Sequence, residues 1–537
     1  MKHTLAHWLV QALAARGIDT VFGIPGVHTI ELYRGLADGA LRHVTPRHEQ
    51  GAGFMADGYA RASGRPAACF IITGPGMTNI ATAMGQALAD SVPMLVISSV
   101  NRRTELGMGE GRLHEMPSQH DTLAGLSVFS HTLLDPANLP RVLDRALAVF
   151  DTARPGPVHI SIPRDLFNVT LEPPLPAPAH LYAPAPDPEA IAQATQWLNE
   201  AQRPLLLLGG GCVRNPEAAR ALAERLDAPV LTTINARGVL GRNHPLDLGA
   251  NATWPEVREF AAQADVILAI GTELGETDYD VTFDGGFRLA GRLIRIDIDP
   301  GQLNANHPPA LGLVADASAA MTALLARLTP VERNGAAIVS ALHRRLALHE
   351  RPDMAPFVPL FEILTRVLPE AIIVGDSTAP VYAANHLLAR GAPRRFFNAS
   401  TGYGTLGYGL PAALGAALAR PDLPVVALIG DGGVMFTLAE LAVALEERLP
   451  IIIVVWHNAG FEEIRRAMNS AGVTRLGVDP VAPDFQQLAA GFGIAALRVT
   501  TPQALEEALN KRALDAPCLI EIDALTWPGR SLPGVHI

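Results

Sequence analysis

Lysine is nearly absent from this chain of 537 residues, occurring only at Lys2 and Lys511. That removes the interior amine needed for a Schiff base and the phosphate-binding lysine of a P-loop, and with them pyridoxal-phosphate chemistry and Walker-type nucleotide hydrolysis. Cysteine is scarce as well: Cys69, Cys212 and Cys518 are far apart, form neither a metal pair nor a disulfide framework, and point to a reducing cytoplasm. There is no basic run, and the formal net charge is −11, which argues against nucleic acid or an anionic membrane as the main partner. The longest apolar run, around Ile451–Trp456, is far too short to span a bilayer. Leu5, Leu9, Ala12 and Leu13 recur at helical spacing without a basic start or a cleavage site, so a first helix is expected there and not a signal peptide.

Hydrophobic residues make up 49% and charged residues 18%, and the length exceeds what one core can organise. Short apolar runs alternate with longer amphipathic ones. Ala67–Thr73, Met94–Ser99, Val158–Ile162, Leu205–Leu208, Val266–Ile270, Leu293–Ile298, Ile372–Val374, Val425–Ile429 and Ile451–Trp456 read as strands. Repeated strand–helix–strand units with near-continuous apolar strands predict parallel sheets covered on both faces. Two proline-rich stretches, Glu172–Pro188 and Arg351–Pro359, read as linkers and divide the chain into 1–172, 188–335 and 355–537. The first and third parts echo each other, since each has an apolar strand running into a glycine-rich turn, Thr73–Gly76 in one and Gly430–Gly433 in the other.

The most informative stretch is Gly430-Asp-Gly-Gly433, a helical segment in which Thr437 and Glu440 are spaced as a capping box, a strand, and then His457-Asn458-Ala-Gly460. A right-handed crossover returns the second strand beside the first, so Asp431 and Asn458 come to one sheet edge. Alone, Asp431 is a helix cap and Asn458 a turn residue. Jointly they describe oxygen ligands beside exposed backbone N–H groups, a place to hold Mg²⁺ and a diphosphate. In the first part, Arg47-His-Glu49 precedes a helix of small residues (Gly51, Ala52, Gly53, Ala56, Gly58, Ala60) against which something must pack closely. Glu49 is either a charge favouring the helix dipole or a carboxylate aimed at a ligand.

These stretches resemble the thiamine-diphosphate-dependent enzymes that include acetolactate synthase, pyruvate decarboxylase and benzoylformate decarboxylase, over essentially the whole chain and in the expected order. The resemblance implies an α/β fold of three doubly wound parallel-sheet domains: an aminopyrimidine-binding domain (1–172), a Rossmann-like middle domain (188–335) and a diphosphate- and Mg-binding domain (355–537). It implies that Asp431, Asn458 and the Gly460 carbonyl bind Mg²⁺ and that Gly430, Gly432 and Gly433 line the diphosphate. His457 departs from the family's Asn-Asn pair, but the ligating second Asn is kept. Glu49, by resemblance, hydrogen-bonds the aminopyrimidine N1′, which favours the imino tautomer whose nitrogen deprotonates the thiazolium C2. Thr73, Gly74 and Asn79 match a Gly-Pro-Gly-x-x-Asn turn that lies against the cofactor. In Thr401–Pro411, Gly404 would offer its carbonyl to the 4′-amino group and Leu406 would prop the bent cofactor, while Ser377 and Thr378 would contact the diphosphate. The cofactor would lie between subunits, so a homodimer is the minimum unit and a homotetramer the expected assembly.

The middle domain lacks the signature of the FAD-binding acetolactate synthases, having Gly271–Asp280 in its place, so FAD is not expected. Three residues bear on the substrate. Val27 stands where pyruvate decarboxylase has an acid, His114 replaces the family's glutamine and is either a proton donor or an exposed loop histidine, and Glu463 would suit a cationic side chain or form an ordinary ion pair with Arg466. The pattern resembles the 5-guanidino-2-oxopentanoate decarboxylases of arginine catabolism, lyases that release CO₂ and 4-guanidinobutanal. Acetolactate synthase, joining two pyruvates, is the alternative. A non-enzymatic role would require loss of Glu49, Asp431 or Asn458, and all three are present.

Overall fold

The computed structural model describes residues 3–171, 181–347 and 353–528. Nine residues of the first expected linker, 172–180, and Arg351 and Pro352 of the second lie outside them. The chain builds three six-stranded sheets, each wholly parallel, plus a two-residue antiparallel ribbon between His3–Thr4 and Thr170–Leu171. The first sheet holds β1 (Thr20–Gly23), β2 (Arg42–Val44), β3 (Ala67–Ile71), β4 (Met94–Val100), β5 (Phe129–Thr132) and β6 (Pro157–Pro163). The second holds β7 (Pro204–Leu208), β8 (Val230–Thr232), β9 (Asp247–Gly249), β10 (Val266–Ile270), β11 (Arg292–Asp297) and β12 (Leu311–Val314). The third holds β13 (Ile372–Gly375), β14 (Phe396–Asn398), β15 (Val425–Gly430), β16 (Ile452–His457), β17 (Ala495–Val499) and β18 (Cys518–Asp523).

The first sheet runs β2-β1-β3-β4-β6-β5 and the third β14-β13-β15-β16-β18-β17, the same order in both. The echo in the sequence is therefore an echo of topology. The middle sheet runs β9-β8-β7-β10-β11-β12, the order of a dinucleotide fold, with its switch point between β7 and β10. All nine strands expected from apolar runs are present. The other nine in these sheets are mostly short, edge-lying or partly polar: β5 is half-buried along its length and β17 largely exposed.

The first and third domains meet through α1 (Glu49–Ser63) and α4 (Gly409–Ala419); between them in sequence lie α2 (Pro75–Ala89) and α3 (Ala379–Leu387). The small-residue face of α1 exists for this contact. A Cβ on Gly58 would sit 1.9 Å from the Ala412 carbonyl oxygen, and one on Gly415 1.9 Å from that of Met55. The helices touch backbone to backbone. Arg61, near the end of α1, ties all three domains together. It binds Asp57 and Asp90 at 2.6 Å each and donates to Asn235 of the middle domain at 3.0 Å, while Tyr408 of the third domain donates to Asp57. Among the described residues, no helix is long and apolar enough to cross a membrane.

Gly58→Ala tests the helix contact. In an open helix this change stabilises by about 0.5–1 kcal/mol, but overpacking costs about 1–3 kcal/mol, so the clash decides the sign. A fall in the calorimetric unfolding temperature is expected, and a rise would show that the two backbones do not meet.

Candidate active site

Two half-sites form at the carboxyl edges of the two matching sheets. In the third domain, β15 and β16 are adjacent and parallel, with Gly430 opposite Trp456, so the residues that leave them, Asp431 and Asn458, emerge side by side. Asp431 is 2% exposed; its carboxylate accepts from Gly432 N at 3.0 Å and from Gly460 N at 3.2 Å. Burial raises its pKa, with the nearby His457 opposing. His457 is anchored by its Nδ1 to Glu521 at 2.7 Å, which explains how a histidine is accommodated before the asparagine. The Asn458 amide donates to Glu462 at 3.1 Å, and its Oδ1 is buried with no partner. Glu462 thereby fixes which end of the amide is left open, and what is left open is an oxygen. Gly460 has φ +138, and a Cβ there would lie 2.5 Å from the Val478 carbonyl oxygen, so only glycine fits. Among the described residues no three His, Cys, Asp or Glu side chains gather around one point. One carboxylate, one amide oxygen and a backbone carbonyl are instead a hard-oxygen set that suits a small divalent cation whose remaining ligands come from phosphate and water.

The glycine turn beside these oxygens is built from two helix starts. A Cβ on Gly430 would meet the Thr378 hydroxyl at 2.8 Å, one on Gly432 the Phe461 ring at 2.6 Å and one on Gly433 the Asp376 carboxyl at 3.3 Å. Thr378 begins α3 without capping it, and Ser377 donates to the Thr405 carbonyl at 3.2 Å. The helix expected after Gly433 is broken into a turn at Asp431–Val434, a 3-10 turn at Leu438–Glu440 and a helix at Leu441–Glu446. Thr437 and Glu440 form no capping box. Thr437 instead donates to the Gly407 carbonyl at 2.8 Å, pinning the segment that holds Gly404 and Leu406, and Glu440 reaches the first domain. Gly404 is exposed and Leu406 half-buried; their segment is also held by Gln86, which accepts from Thr405 Oγ1 at 3.0 Å. Glu463 sits in the first turn of α5 (Glu462–Ser470), half exposed and 3.3 Å from Arg466. Its charge adds to the burial that pushes the phenol of Tyr382 of α3 up to about 12.

In the first domain, Glu49 begins α1 and accepts from Asn79 Nδ2 at 2.9 Å through Oε2, while a Cβ on Gly76 would stand 3.3 Å from Oε1. Thr73 is buried, with its hydroxyl 2.9 Å from that of Ser99. Gly74, at φ +70, donates to Gln119 at 3.1 Å, and a Cβ on it would strike the His114 carbonyl at 2.6 Å. His114 itself has φ +60, a buried Nδ1 without a partner, and a ring edge-to-face with His28 at 5.2 Å. His114 is thus packed, not a free loop residue. His28 is 4% exposed, and burial and the Arg164 charge lower its pKa, whereas Val27 beside it is 62% exposed. Sequence reasoning passed over His28, Gln119, Tyr382 and Glu462, because each matters through a partner distant in the chain or, for Glu462, through an amide that any surface glutamate could have ignored. Within one chain the structure gathers Gly430–Gly433, Asn458, Gly460, Ser377 and Thr378 on one edge, and Val27, Glu49, Thr73, Gly74, Asn79 and His114 on the other.

The middle sheet contributes a cavity of about 250 Å³ at its switch point, lined by Gly210, Gly211, Thr272, Asp278 and Asp297 together with Arg154 of the first domain. The glycines after β7 serve contact between turns: a Cβ on Gly209 would lie 2.1 Å from the Gly271 carbonyl oxygen.

A hard-cation donor set, an anion cradle and a carboxylate on a second, matching domain define an enzyme that works with a bound diphosphate cofactor. The chain belongs to the thiamine pyrophosphate enzyme family, in the branch of 2-oxo acid decarboxylases and acetolactate synthases. It matches the N-terminal TPP binding domain of that family over residues 3–124, the central domain over 191–324 and the C-terminal TPP binding domain over 375–522. It is 46% identical to a probable 2-ketoarginine decarboxylase of Pseudomonas aeruginosa, across 94% of this chain and 90% of that protein. The large subunits of acetolactate synthase isozymes 1 and 2 of Escherichia coli are 32% and 33% identical, each across 97% of this chain and 94% and 96% of their own lengths.

Asp376, fully buried under Gly433, carries a pH signature. Burial pushes its pKa up to about 6 from 3.8. A raised pKa means the folded state holds the proton more tightly, so this contribution to stability is present below pH 4 and lost as pH rises to about 6. Urea unfolding of wild type against Asp376→Asn should show the wild type losing up to about 3 kcal/mol relative to the variant across that window. A difference that stays flat with pH would show that Asp376 is ionised throughout.

Proposed function

We propose that the chain is a thiamine-diphosphate- and Mg²⁺-dependent decarboxylase of 5-guanidino-2-oxopentanoate, yielding 4-guanidinobutanal and CO₂. The observation that carries the substrate is Glu463, a carboxylate three residues beyond Gly460 whose charge acts on the phenol of Tyr382, in a chain 46% identical to a probable 2-ketoarginine decarboxylase. An exposed helical ion pair such as Glu463–Arg466 is worth about 0.2–0.5 kcal/mol, so Glu463 gives it up readily for a guanidinium held beside an aromatic ring.

Asp431, the unpartnered Asn458 Oδ1 and the Gly460 carbonyl hold Mg²⁺. The N–H groups of Gly432 and Gly433, with Ser377 and Thr378, hold the diphosphate. Thiamine diphosphate, when bound, supplies the electron sink for decarboxylation. Glu49 holds a hydrogen bond at the aminopyrimidine N1′ through Oε1, since Asn79 occupies Oε2. Thr73, Gly74, Gly404 and Leu406 shape the walls around that ring. His114, whose Nδ1 is unpartnered, would be the group that holds a proton for the carbon that loses its carboxylate, and Val27 leaves the substrate side apolar. Exposed apolar residues border both half-sites, Val27, Ile30 and Leu113 on one and Tyr403, Met435 and Phe436 on the other. Such patches mark a covered surface, and a homodimer that pairs the first domain of one copy with the third domain of another covers both. A homotetramer built from two such dimers, working in the cytoplasm, completes the reading.

The acetolactate synthase relatives support a second reading, pyruvate carboligation. CO₂ release from a panel of 2-oxo acids, with product analysis, separates the two: aldehyde from the guanidino acid is expected, and acetolactate from pyruvate as the faster reaction would overturn the proposal. Glu463→Gln should lower kcat/KM for the guanidino acid about 30-fold or more and leave an apolar 2-oxo acid unchanged; equal losses would remove Glu463 from recognition. Calorimetric titration of Asp431→Ala should show loss of Mg²⁺-dependent cofactor binding, and retained binding would refute the metal assignment.

A further inference from the structure

Glu440 belongs to the third domain and lies nine residues beyond Asp431, yet its carboxylate is spent on the first domain. Arg47 N donates to both of its oxygens at 3.0 Å and His48 N to Oε1 at 3.1 Å. The side chain is 1% exposed. Its place under α1 is made by Gly51, where a Cβ would fall 2.1 Å from Oε1. Among the described residues no guanidinium donates to it: the Arg47 side chain goes to Glu446 and to the Thr45 carbonyl. A buried carboxylate that takes only backbone N–H groups is costly to keep, and burial pushes its pKa up to about 7.

Adhesion does not require it, because α1 and α4 already meet backbone to backbone a turn or two further along. What the carboxylate does specify is direction. The amides it holds are the last two before Glu49, and His48 is the N-cap of α1, with its ring accepting from Gln50 N at 3.1 Å. Fixing these two peptide planes fixes the bond from which the Glu49 side chain leaves. Asn79 then holds one oxygen of Glu49 at 2.9 Å from the far side. The residue is gripped at its root by one domain and at its tip by another.

We propose that Glu440 is a positioning residue for Glu49, setting the catalytic carboxylate of the first domain from the domain that carries the metal and diphosphate half-site. The inference rests on the role proposed above for Glu49 and is independent of which 2-oxo acid is used. An error of about 1 Å in such a group is enough to cost on the order of 100-fold in rate.

The test is hydrogen–deuterium exchange at C2 of thiamine diphosphate bound to the full-length protein with saturating cofactor and Mg²⁺, which needs no substrate. Amide exchange of residues 45–52 in the cofactor-free protein and the unfolding temperature are measured alongside. Glu440→Ala should slow C2 exchange at least tenfold and speed exchange of the Arg47 and His48 amides, while cofactor affinity changes less than threefold. Glu440→Gln, whose side-chain oxygen can still accept from both amides, should restore C2 exchange to within threefold of wild type. If Glu440→Ala does not fold, Glu440→Asp, which withdraws the carboxylate by one methylene, carries the same expectation. C2 exchange unchanged in the folded variant, or lost only in proportion to cofactor affinity, overturns the inference. Glu49→Gln separates the two claims. If it leaves C2 exchange intact, the reading of Glu49 fails and this one with it; if it abolishes exchange while Glu440→Ala has no effect, only the positioning role fails.

Discussion

The contact on which the rest of the structure depends is the backbone-to-backbone crossing of α1 and α4. Gly58 and Gly415 each leave a space that a single methyl would close, so the two helices approach to a distance set by main-chain atoms. Such a contact has little freedom to slide. It fixes the first domain on the third, and the groups at either end inherit the precision: Glu49 at the start of α1, and the Thr401–Tyr408 segment that runs into α4. The buried network around Arg61 closes the same interface and brings in the middle domain through Asn235. Burial drives the Asp57 carboxyl toward its neutral form while Arg61 opposes it, so the network is held together by mutual need, each ion stranded without the other.

The matching strand orders of the first and third sheets show how one architecture serves two tasks. In both, the third strand of the domain, in chain order, ends in a glycine turn at the carboxyl edge. On one sheet the turn delivers Asp431 and an anion cradle. On the other it delivers Thr73 and Gly74, packed against His114 and clamped by Gln119. The difference lies in a few side chains at equivalent exits and not in the frame. The middle sheet has a different order, and its glycines are committed to packing two turns together, which leaves a cavity walled partly by acids.

Much of this was legible in the chain because parallel sheets advertise themselves. A central strand buried on both faces must be apolar throughout, and its exit must turn, so Val425–Gly430 followed by Asp431 announces both the strand and the turn that ends it. Edge strands carry no such demand. Arg42–Val44 and Asp247–Gly249 are three residues long and partly polar, and no periodicity could reveal them. Cys518–Asp523 was hidden for another reason: it is buried throughout yet carries Glu521 and Asp523, whose charges are met by His457 and Arg498. The same limit explains Thr437 and Glu440. Their spacing is that of a local cap, and only the fold shows that both side chains are used on segments far away. Local rules assign a polar residue to its neighbours in sequence, and a contact between distant segments takes it elsewhere.

The glycine and alanine face of α1 has a consequence for how the protein is made. The helix is complete at residue 63, but its partner α4 begins only at residue 409. During synthesis this face waits for its mate on the order of half a minute. A stripe of leucine or phenylalanine exposed for that time would invite other nascent chains. A stripe of small residues offers few contacts to a stranger and many to the one helix whose own glycine and alanine let it come close enough, so the surface that makes the finished interface rigid also keeps the unfinished chain from sticking.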